Sequence, residues 1–302
     1  MEIKENYELK KHTTFKVGGI AKRVFFPESV DELIKVLEET QNPILLGNCS
    51  NVLISSFEID KDIIITSKMN EFSFDGKKLY CLCGTKGPLL SKECQKQGLS
   101  GLEFMIGFPG SIGGMLYMNA SAHNQAISDY FISCKVFDTD TKKVIELNKE
   151  DMNFEYRKSV LSEKNYIILS AQFEFEEKKP EEINALMQKN LDFRKQHQPS
   201  LALPNVGSIF KNPTNDSAGR LLDCAGARGL LSGGAKVWEN HANFIVNFDN
   251  ATSKDILNLM LKMYDIVEEK YSIKLHPEVK FIASKDKEEE RIWKTLTQEN
   301  TH

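Results

Sequence analysis

The sequence predicts an α+β protein with more than one domain. Amphipathic segments with helical periodicity alternate along the chain with short apolar or alternating segments that indicate strands. The chain has 302 residues, which is more than one hydrophobic core usually serves. Hydrophobic residues make up 41% and charged residues 27% of the chain, as in ordinary globular proteins.

Composition and charge exclude several classes of protein. The net charge is −4 and no long run of Lys and Arg is present, so we expect no nucleic-acid partner. The first residues contain no apolar signal region and no apolar run approaches a membrane span, so we expect a cytoplasmic protein with no membrane partner. The six cysteines form no CxxC pair and do not cluster with histidine, so neither a disulfide framework nor a metal site is predicted.

Several elements follow from local patterns. Residues 29–40 form a predicted amphipathic helix that begins with a capping box of Ser29 and Glu32. Apolar strands are predicted at 43–46 and 63–66. The other predicted elements are helices at 88–97, 180–196, 217–225 and 252–270, a hairpin turn at 75–76, and strands at 79–83, 132–136, 144–147, 166–175, 244–247 and 276–282. The charged end, from residue 284 onward, predicts a frayed helix or a disordered tail.

The stretch 98–122 is the most unusual part of the sequence. It contains six glycines and Pro109. A backbone that turns at Pro109 and Gly110 and then presents successive amides is suited to hold a phosphate. The alternative is a tight loop between two buried elements. A second polar loop at residues 47–51 follows an apolar strand and favours the phosphate interpretation, because two such loops suit the pyrophosphate of a dinucleotide.

Three polar residues are candidates for chemistry, although the chain lacks the Rossmann fingerprint, the P-loop, HExxH and GxSxG. Taken singly, Arg157 is typical of an exposed strand end, and Ser208 is typical of a turn. Glu278 is more suggestive, because a carboxylate between Pro277 and Val279 in an apolar strand is desolvated.

Ten short motifs together resemble one family. In chain order they are Thr14-Phe-x-x-Gly-Gly19, Gly47-x-x-Ser-Asn51, Gly101-Leu-Glu103, Gly107-x-Pro-Gly-Ser-x-Gly-Gly114, Met118-Asn-Ala120, Tyr156-Arg-x-Ser159, Gly207-Ser-x-Phe-Lys-Asn-Pro213, Ala218-Gly219, His241-Ala-Asn-Phe-Ile-Val-Asn247 and Pro277-Glu-Val279. Their order and spacing are similar to those of UDP-N-acetylenolpyruvoylglucosamine reductases, which make the muramic acid precursor of peptidoglycan. The resemblance covers residues 13–283.

The resemblance implies a fold of known type. It is a two-subdomain FAD-binding fold like that of the PCMH and vanillyl-alcohol-oxidase proteins, followed by a C-terminal α+β substrate domain. Only a short hairpin separates Arg157 from the next strand, so the chain resembles the shorter class of the family, which lacks a tyrosine-bearing insertion. Cys49, Phe108, Ser121, Asn124 and Trp238 depart from the family pattern. The implied boundaries are 1–70 and 71–178 for the FAD-binding subdomains, 179–283 for the substrate domain, with the 276–283 strand returning to the FAD-binding part, and 284–302 for a charged tail.

The resemblance also implies the ligands and their sites. FAD is expected to bind non-covalently, NADPH to reduce it, and UDP-N-acetylglucosamine enolpyruvate to be the substrate of a monomeric enzyme. The residues expected at FAD are Gly47, Asn48, Cys49, Ser50, Asn51, Gly101, Gly107, Pro109, Gly110, Ser111, Gly113, Gly114 and Asn119. The residues expected at the substrate are Arg194, Gln198, Lys211 and Asn212.

The expected reaction gives the catalytic candidates distinct roles. Hydride addition places negative charge on the substrate carboxylate, which Arg157 is suited to hold as a permanent cation. Glu278 assists only in its protonated form, because an ionised carboxylate repels that charge. The family places proton donation on Ser208, which needs hydrogen-bonding support such as Lys211 or an ordered water.

Two alternatives remain at this point. The first is an FAD-dependent oxidase or dehydrogenase of another substrate, which would keep the two loops but has no reason to keep Arg157, Ser208 and Glu278 together. The second is a flavoprotein that has lost catalysis and serves as a binding module. Retention of all three residues speaks against it.

Overall fold

The structure, a computed structural model, describes residues 1–298. The strands are β1 (Glu2–Glu8), β2 (Ile20–Phe26), β3 (Ile44–Leu46), β4 (Val52–Ile54), β5 (Ile63–Ile65), β6 (Phe72–Asp75), β7 (Lys78–Leu82), β8 (Leu99–Ser100), β9 (Ser121–Ala122), β10 (Gln125–Ala126), β11 (Phe131–Asp138), β12 (Lys143–Asn148), β13 (Tyr166–Glu174), β14 (Glu176–Glu177), β15 (Leu231–Ser232), β16 (Ala235–Val237), β17 (Ile245–Asn247) and β18 (Lys280–Ile282). The helices are α1 (Val30–Glu39), α2 (Gly87–Lys96), α3 (Ile112–Tyr117), α4 (Pro180–His197), α5 (Ala218–Cys224), α6 (Ser253–Tyr271) and α7 (Lys287–Thr297).

The chain forms two compact units, each made of separate segments. The first unit contains Met1–Lys4, Val24–Asn48 and Asp62–Arg194, and the second contains Glu5–Arg23, Cys49–Lys61 and the described residues from 195 onward. No helix within residues 1–298 has both the length and the apolar composition needed to cross a membrane.

Two sheets account for most of the first unit. One has the strand order β1-β2-β5-β3, and the other is antiparallel with the order β12-β11-β13-β7-β6. β5 is buried along its whole length and pairs in parallel with β3, as expected for a parallel strand covered on both faces. The predicted hairpin turn at 75–76 is confirmed, because Asp75 pairs with Lys78 and Gly76 adopts a φ of 55°.

The predicted start of α1 is confirmed, with one difference. Ser29 Oγ accepts a hydrogen bond from Glu32 N at 3.2 Å. The Glu32 carboxylate accepts from Glu28 N at 2.8 Å instead of from Ser29 N. The second hydrogen bond of the capping box is therefore made one residue earlier, with the backbone N–H of Glu28 instead of that of Ser29.

Helix α4 lies in the first unit up to Arg194, and its last residues belong to the second unit. Ile183 and Met187 pack against Ile106, and Asn190 Nδ2 donates to Glu103 O at 3.2 Å. These contacts join residues that are far apart in the sequence, so the local sequence pattern does not predict them. The assignment of functions to the ranges 1–70, 71–178 and 179–283 stays a prediction.

The second unit has its own core around α6 and a three-stranded antiparallel sheet, β15-β16-β17. The predicted cap of α6 is confirmed: Thr252 Oγ1 accepts from Asp255 N at 3.1 Å, and Asp255 Oδ2 accepts from Thr252 N at 2.9 Å. Met260 and Tyr264 of α6 and Ile245 of β17 are buried in this core.

The predicted strand at 276–282 is divided into two pairings. Pro277 forms an antiparallel bridge with Phe210, and Lys211 N donates to His276 O at 2.9 Å. β18 then pairs in parallel with β4, with Lys280 opposite Val52. Proline has no N–H to continue a ladder, which fits this change of partner.

The charged end of the chain contains an ordered helix, so the expectation of a frayed or disordered segment is wrong for α7. Asp286 caps it by accepting from Glu288 N and Glu289 N. Glu289 is 1% exposed, and its carboxylate accepts hydrogen bonds from Ser55 Oγ at 2.6 Å and from Ser253 Oγ. Ile292 and Leu296 on the same face are buried. The predicted tail also includes residues 299–302, which lie outside the described residues.

We predict that Glu289→Gln destabilises the protein. An amide presents one acceptor oxygen where the carboxylate presents two, so one buried serine hydroxyl loses its acceptor, at a cost of about 1–3 kcal/mol. Urea unfolding followed by circular dichroism measures the change. The matched control is Glu288→Gln, because the neighbouring Glu288 is exposed and pairs only with Lys254 at the surface. Equal unfolding free energies for both variants would contradict a structural role for the buried carboxylate.

Candidate active site

The two loops predicted to hold a pyrophosphate meet in the first unit. Asn48 Nδ2 donates a hydrogen bond to Pro109 O. A Cβ placed on Gly47 would overlap Ser111 Oγ, so a larger residue here would require the Ser111 side chain to move. Residues from two distant parts of the sequence therefore form one continuous surface, as the sequence predicted.

The turn at 109–111 is anchored so that several amides remain available. Gly87 N donates to Gly110 O at 3.0 Å, and Ile112 N donates to Thr85 O at 2.9 Å. Within residues 1–298, the amides of Gly110, Ser111 and Gly114 make no backbone hydrogen bond. Amides left unpaired at a glycine-rich turn are donors for an anionic ligand.

Two predicted cofactor glycines have a packing role instead. Gly113 N already donates to Cys83 O at 2.8 Å, and a Cβ on Gly113 would lie 2.8 Å from Ile168 Cγ2. Gly101 has a φ of 150°, and a Cβ there would lie 2.8 Å from the Tyr130 ring. Packing accounts for glycine at both positions, and the expected contacts of Gly101 and Gly113 with FAD stay predictions.

Gly114 behaves differently from its neighbour. It is exposed, and the nearest heavy atom to a Cβ at this position is Ser111 Oγ at 3.7 Å. The protein itself thus leaves room for a side chain. A requirement for glycine here would have to come from a ligand.

Asn119 supplies a buried polar atom that fits a polar ligand. It is 8% exposed, has a φ of 44°, and donates from Nδ2 to Glu155 O at 3.1 Å. Its Oδ1 is buried and has no hydrogen-bond partner among the described residues. A buried acceptor left unpaired costs free energy unless a ligand or water supplies a donor. Together with the free amides of the turn, this acceptor fits a dinucleotide such as FAD.

Arg194 lies against the same loop. A Cβ placed on Gly107 would lie 2.9 Å from Arg194 Cδ, so the arginine packs over this glycine. Desolvation by burial lowers the pKa of Arg194, although its guanidinium remains a cation at neutral pH. The structure therefore places one predicted substrate residue beside the predicted cofactor loop.

Arg157 occupies a tight turn in the first unit. Glu155 N and Lys158 N each donate to the carbonyl of the other residue, at 3.1 and 3.3 Å, and Arg157 adopts a φ of 56°. Its guanidinium carbon lies 5.0 Å from the centroid of the Tyr156 ring, and Nη1 donates to Ser121 Oγ at 2.7 Å. A positive φ in a long side-chain residue is uncommon and is a feature of functional sites.

Ser208 and Glu278 are brought together in the second unit. Glu278 N donates to Ile209 O at 2.8 Å, so the two residues lie on adjacent extended segments. Glu278 is 9% exposed and Ser208 is half-buried. Within residues 1–298, no direct hydrogen bond joins Lys211 to Ser208, so the support expected from this lysine is not a direct contact.

Two asparagines hold these segments in place, and the sequence did not predict this role. Asn243 is 3% exposed, donates from Nδ2 to Phe210 O at 2.9 Å and accepts at Oδ1 from Phe210 N at 2.9 Å. Asn51, expected at FAD, donates from Nδ2 to Glu278 O at 3.2 Å. The only indication in the sequence was that Asn243 lies within the motif at 241–247, which resembles the family pattern.

The remaining predicted residues belong to the second unit. Cys49 has a φ of 49°, and burial raises the pKa of its thiol to about 12, so the thiol stays protonated. Ser50 and Gln198 are half-buried. Asn212 Oδ1 accepts from Ala218 N at 3.0 Å at the start of α5.

Lys211 has a positively charged neighbour in the second unit. Desolvation, together with the positive charge of Lys211, lowers the pKa of Lys280.

The predicted catalytic residues are divided between the units. Arg157 belongs to the first unit, and Ser208 and Glu278 belong to the second. Residues 1–298 contain no group of three or more His, Cys, Asp or Glu side chains that could hold a metal ion.

Comparison with known proteins gives the class of protein and then the family. Residues 21–148 match a family model described as an FAD binding domain, and residues 198–282 match one described as the C-terminal domain of UDP-N-acetylenolpyruvoylglucosamine reductase. An FAD-binding part followed by this C-terminal domain defines an FAD-binding oxidoreductase, and the predicted α+β fold class is confirmed.

Individual relatives agree over nearly the whole chain. The reductase of Caldicellulosiruptor bescii is 39% identical over 94% of this chain and 91% of its own length. That of Bacillus licheniformis is 40% identical over 94% of this chain and 95% of its own length. A crystal structure of the Thermus caldophilus reductase superimposes with a TM-score of 0.81 at 33% identity, covering 94% of this chain and all of that one. The chain belongs to the UDP-N-acetylenolpyruvoylglucosamine reductase family.

We predict that Gly114→Val weakens FAD binding without unfolding the protein. A branched side chain blocks the approach of a phosphate to the amides at 110–114. Loss of one hydrogen bond to a charged group costs about 1.5–3 kcal/mol, which is roughly ten- to a hundredfold in Kd. Flavin fluorescence titration measures Kd, and thermal unfolding of the flavin-free protein measures stability.

Gly113→Val is the contrast for this experiment. Its side chain would meet Ile168 and Cys83, so it should lower the stability of the flavin-free protein as well as flavin binding. Unchanged FAD affinity in Gly114→Val would contradict the proposed phosphate contact.

Proposed function

We propose that the chain reduces UDP-N-acetylglucosamine enolpyruvate to UDP-N-acetylmuramate, with NADPH as the source of reducing equivalents. Membership of the family supports the reaction class. The observation that carries the proposal for this chain is the pairing of the Ser208 segment with the Glu278 segment. It puts a hydroxyl and a buried carboxyl, both able to donate protons, on neighbouring backbones. We further propose that the protein acts in the cytoplasm as a monomer on this small molecule alone.

FAD supplies, when bound and reduced by NADPH, a hydride for the terminal carbon of the enolpyruvyl double bond. The amides of Gly110, Ser111 and Gly114 are the proposed donors to its pyrophosphate. Asn119 Oδ1 is the proposed acceptor for a polar group of the same ligand, because it is buried and has no partner in the described part of the chain. Gly47 leaves space for the Ser111 side chain where the two loops approach each other.

Arg157 is the proposed partner of the substrate carboxylate. Negative charge grows on this carboxylate as hydride reaches the neighbouring double bond. A guanidinium stays cationic throughout and bonds a carboxylate with two parallel N–H groups. The interaction therefore strengthens towards the transition state, which is the condition for accelerating the chemical step.

Glu278 is proposed to act in its protonated form when negative charge develops on the substrate carboxylate. Its backbone is fixed on both sides, because its N–H donates to Ile209 O and its carbonyl accepts from Asn51 Nδ2. A neutral carboxyl donates a hydrogen bond to the developing charge, whereas an ionised one would repel it.

Ser208 is the proposed proton donor. Protonation of the carbon next to the carboxylate completes the reaction, so that one hydride and one proton add across the carbon–carbon double bond. A serine hydroxyl is a weak acid and must be supported once substrate is bound. Within residues 1–298, Ser208 Oγ has no side-chain hydrogen bond that would compete for this proton.

NADPH and the substrate are proposed to use the site in turn, because both carry a nucleotide pyrophosphate. Arg194 beside Gly107, and Gln198, Lys211 and Asn212 of the second unit, are the proposed contacts. The cationic neighbourhood of Lys211 and Lys280 favours an anionic group of either ligand.

We predict that Ser208→Ala separates the two half-reactions. The variant should bind FAD and be reduced by NADPH at nearly the wild-type rate, because no proton is delivered to carbon in that step. Reoxidation by the enolpyruvyl substrate should slow by roughly 10²–10⁴-fold, the usual contribution of a general acid. Anaerobic stopped-flow absorbance at the flavin band measures both rates.

Ser232→Ala, in β15 of the same unit, is the matched control and should leave both rates unchanged. Rapid reoxidation of Ser208→Ala would remove Ser208 from the mechanism and make Lys211 the next candidate. Equal slowing of both half-reactions would assign Ser208 a structural role.

A further inference from the structure

A short hairpin beside Arg157 has a geometry that fixes one serine hydroxyl. β9 and β10 pair with Ser121 opposite Ala126 and Ala122 opposite Gln125. The two turn residues, His123 and Asn124, have φ values of 53° and 60°. Two successive positive φ values define the tight turn whose twist matches that of paired strands. The backbone at Ser121 is therefore closely constrained.

Contacts on both sides hold this hairpin in the first unit. Ala126 N donates to Asp129 Oδ2 at 2.8 Å, and Gln125 Nε2 donates to Tyr130 Oη at 3.2 Å. The His123 ring packs edge-to-face on Phe193 of α4, with centroids 5.3 Å apart. The hairpin is thus tied to the chain that follows it and to a helix distant in sequence.

Ser121 presents its hydroxyl to Arg157. Nη1 of the arginine donates to Ser121 Oγ at 2.7 Å, which is short for a hydrogen bond between nitrogen and oxygen. The Tyr156 ring lies against the guanidinium at 5.0 Å. A free arginine side chain has large rotamer entropy. Two contacts at different parts of the guanidinium reduce this freedom before a ligand binds.

The chemical nature of the partner matters as much as its position. A carboxylate in place of Ser121 would neutralise the guanidinium and compete with an anionic substrate. A hydroxyl orients the group without cancelling its charge. The bond uses one of the five N–H donors of arginine, and Ser121 keeps its own O–H as a donor.

We propose that Ser121 is a positioning residue, which holds the Arg157 guanidinium in the orientation that receives the substrate carboxylate. The inference rests on the proposed function, because it assigns that carboxylate to Arg157. Ser121 acts through Arg157, which it orients before the substrate reacts. Removal of its hydroxyl should therefore slow the step in which negative charge grows on the substrate carboxylate, and should leave the reduction of FAD by NADPH unchanged.

The test compares Ser121→Ala with Ser121→Thr, which restores the hydroxyl. In anaerobic stopped-flow experiments, Ser121→Ala should reduce the limiting rate of reoxidation by the enolpyruvyl substrate about tenfold, the effect of losing a hydrogen bond to a charged group. Ser121→Thr should recover most of this rate. Reduction by NADPH and thermal unfolding should stay close to wild type in both variants.

A double-mutant cycle with Arg157→Met tests whether the effect passes through the arginine. Ser121→Ala should cost little further rate in the Arg157→Met background, because methionine has no N–H and the bond is already absent. Ser133→Ala is the matched control, since Ser133 also bonds through its hydroxyl, to Glu146 at 2.7 Å in the same unit, but lies outside the site.

The outcomes separate this inference from the proposed function. If the wild-type enzyme is not reoxidised by the enolpyruvyl substrate, the proposed function fails. If the wild type is reoxidised and Ser121→Ala matches it, the positioning role is overturned. Effects that add fully in the cycle, or slowing of both half-reactions together, would likewise overturn it by showing a general structural effect.

Discussion

One buried asparagine side chain determines the arrangement of the candidate site in the second unit. Asn243 pairs with both backbone groups of Phe210, as a neighbouring strand would. The segment that carries Ser208 is thereby held between Asn243 on one side and the backbone around Pro277 on the other. Because Pro277 has no N–H, the chain stops pairing with the Phe210 segment there and pairs with β4 from Lys280 onward. Glu278 lies between these two pairings and is buried. The segments that carry Ser208 and Glu278 are thus positioned by hydrogen bonds to their backbones, which come from each other and from Asn243 and Asn51.

In the first unit, several contacts orient the guanidinium of Arg157. Arg157 lies in a left-handed turn, packs on an aromatic ring and bonds a neutral hydroxyl. In the same unit, the amides of Gly110, Ser111 and Gly114 make no backbone hydrogen bond within residues 1–298, and the buried Asn119 Oδ1 has no hydrogen-bond partner there. These amides and this oxygen are unsatisfied in the described part of the protein. Such groups lower the stability of the free protein, and a ligand that forms hydrogen bonds with them offsets this cost.

Local sequence predicted what local physics decides. The caps at Ser29 and Thr252 and the turn at Gly76 depend on neighbouring residues, and all three were predicted. The sequence also singled out the two loops that contain Gly47 and Ser111 by their composition, although the contact between these two residues was not predicted. The departure from the family pattern at Ser121 was visible in the sequence, although its contact with Arg157 was not.

Long-range packing escaped prediction for a physical reason. The partners of Glu289 are Ser55 and Ser253, so α7 looked like a charged tail although its carboxylate is buried. The packing role of Gly113 was not predicted, because its tight neighbours, Ile168 and Cys83, lie far away in sequence.

We propose that this chain is a flavoenzyme which passes reducing equivalents to an enolpyruvyl nucleotide sugar. The most direct measurement is the visible spectrum of the purified protein, taken anaerobically, after NADPH and then after the enolpyruvyl substrate. We expect a flavin absorbance band that bleaches when NADPH is added and returns when the substrate is added and UDP-N-acetylmuramate forms. Absence of flavin, or a bleached flavin that the substrate does not reoxidise, would contradict it.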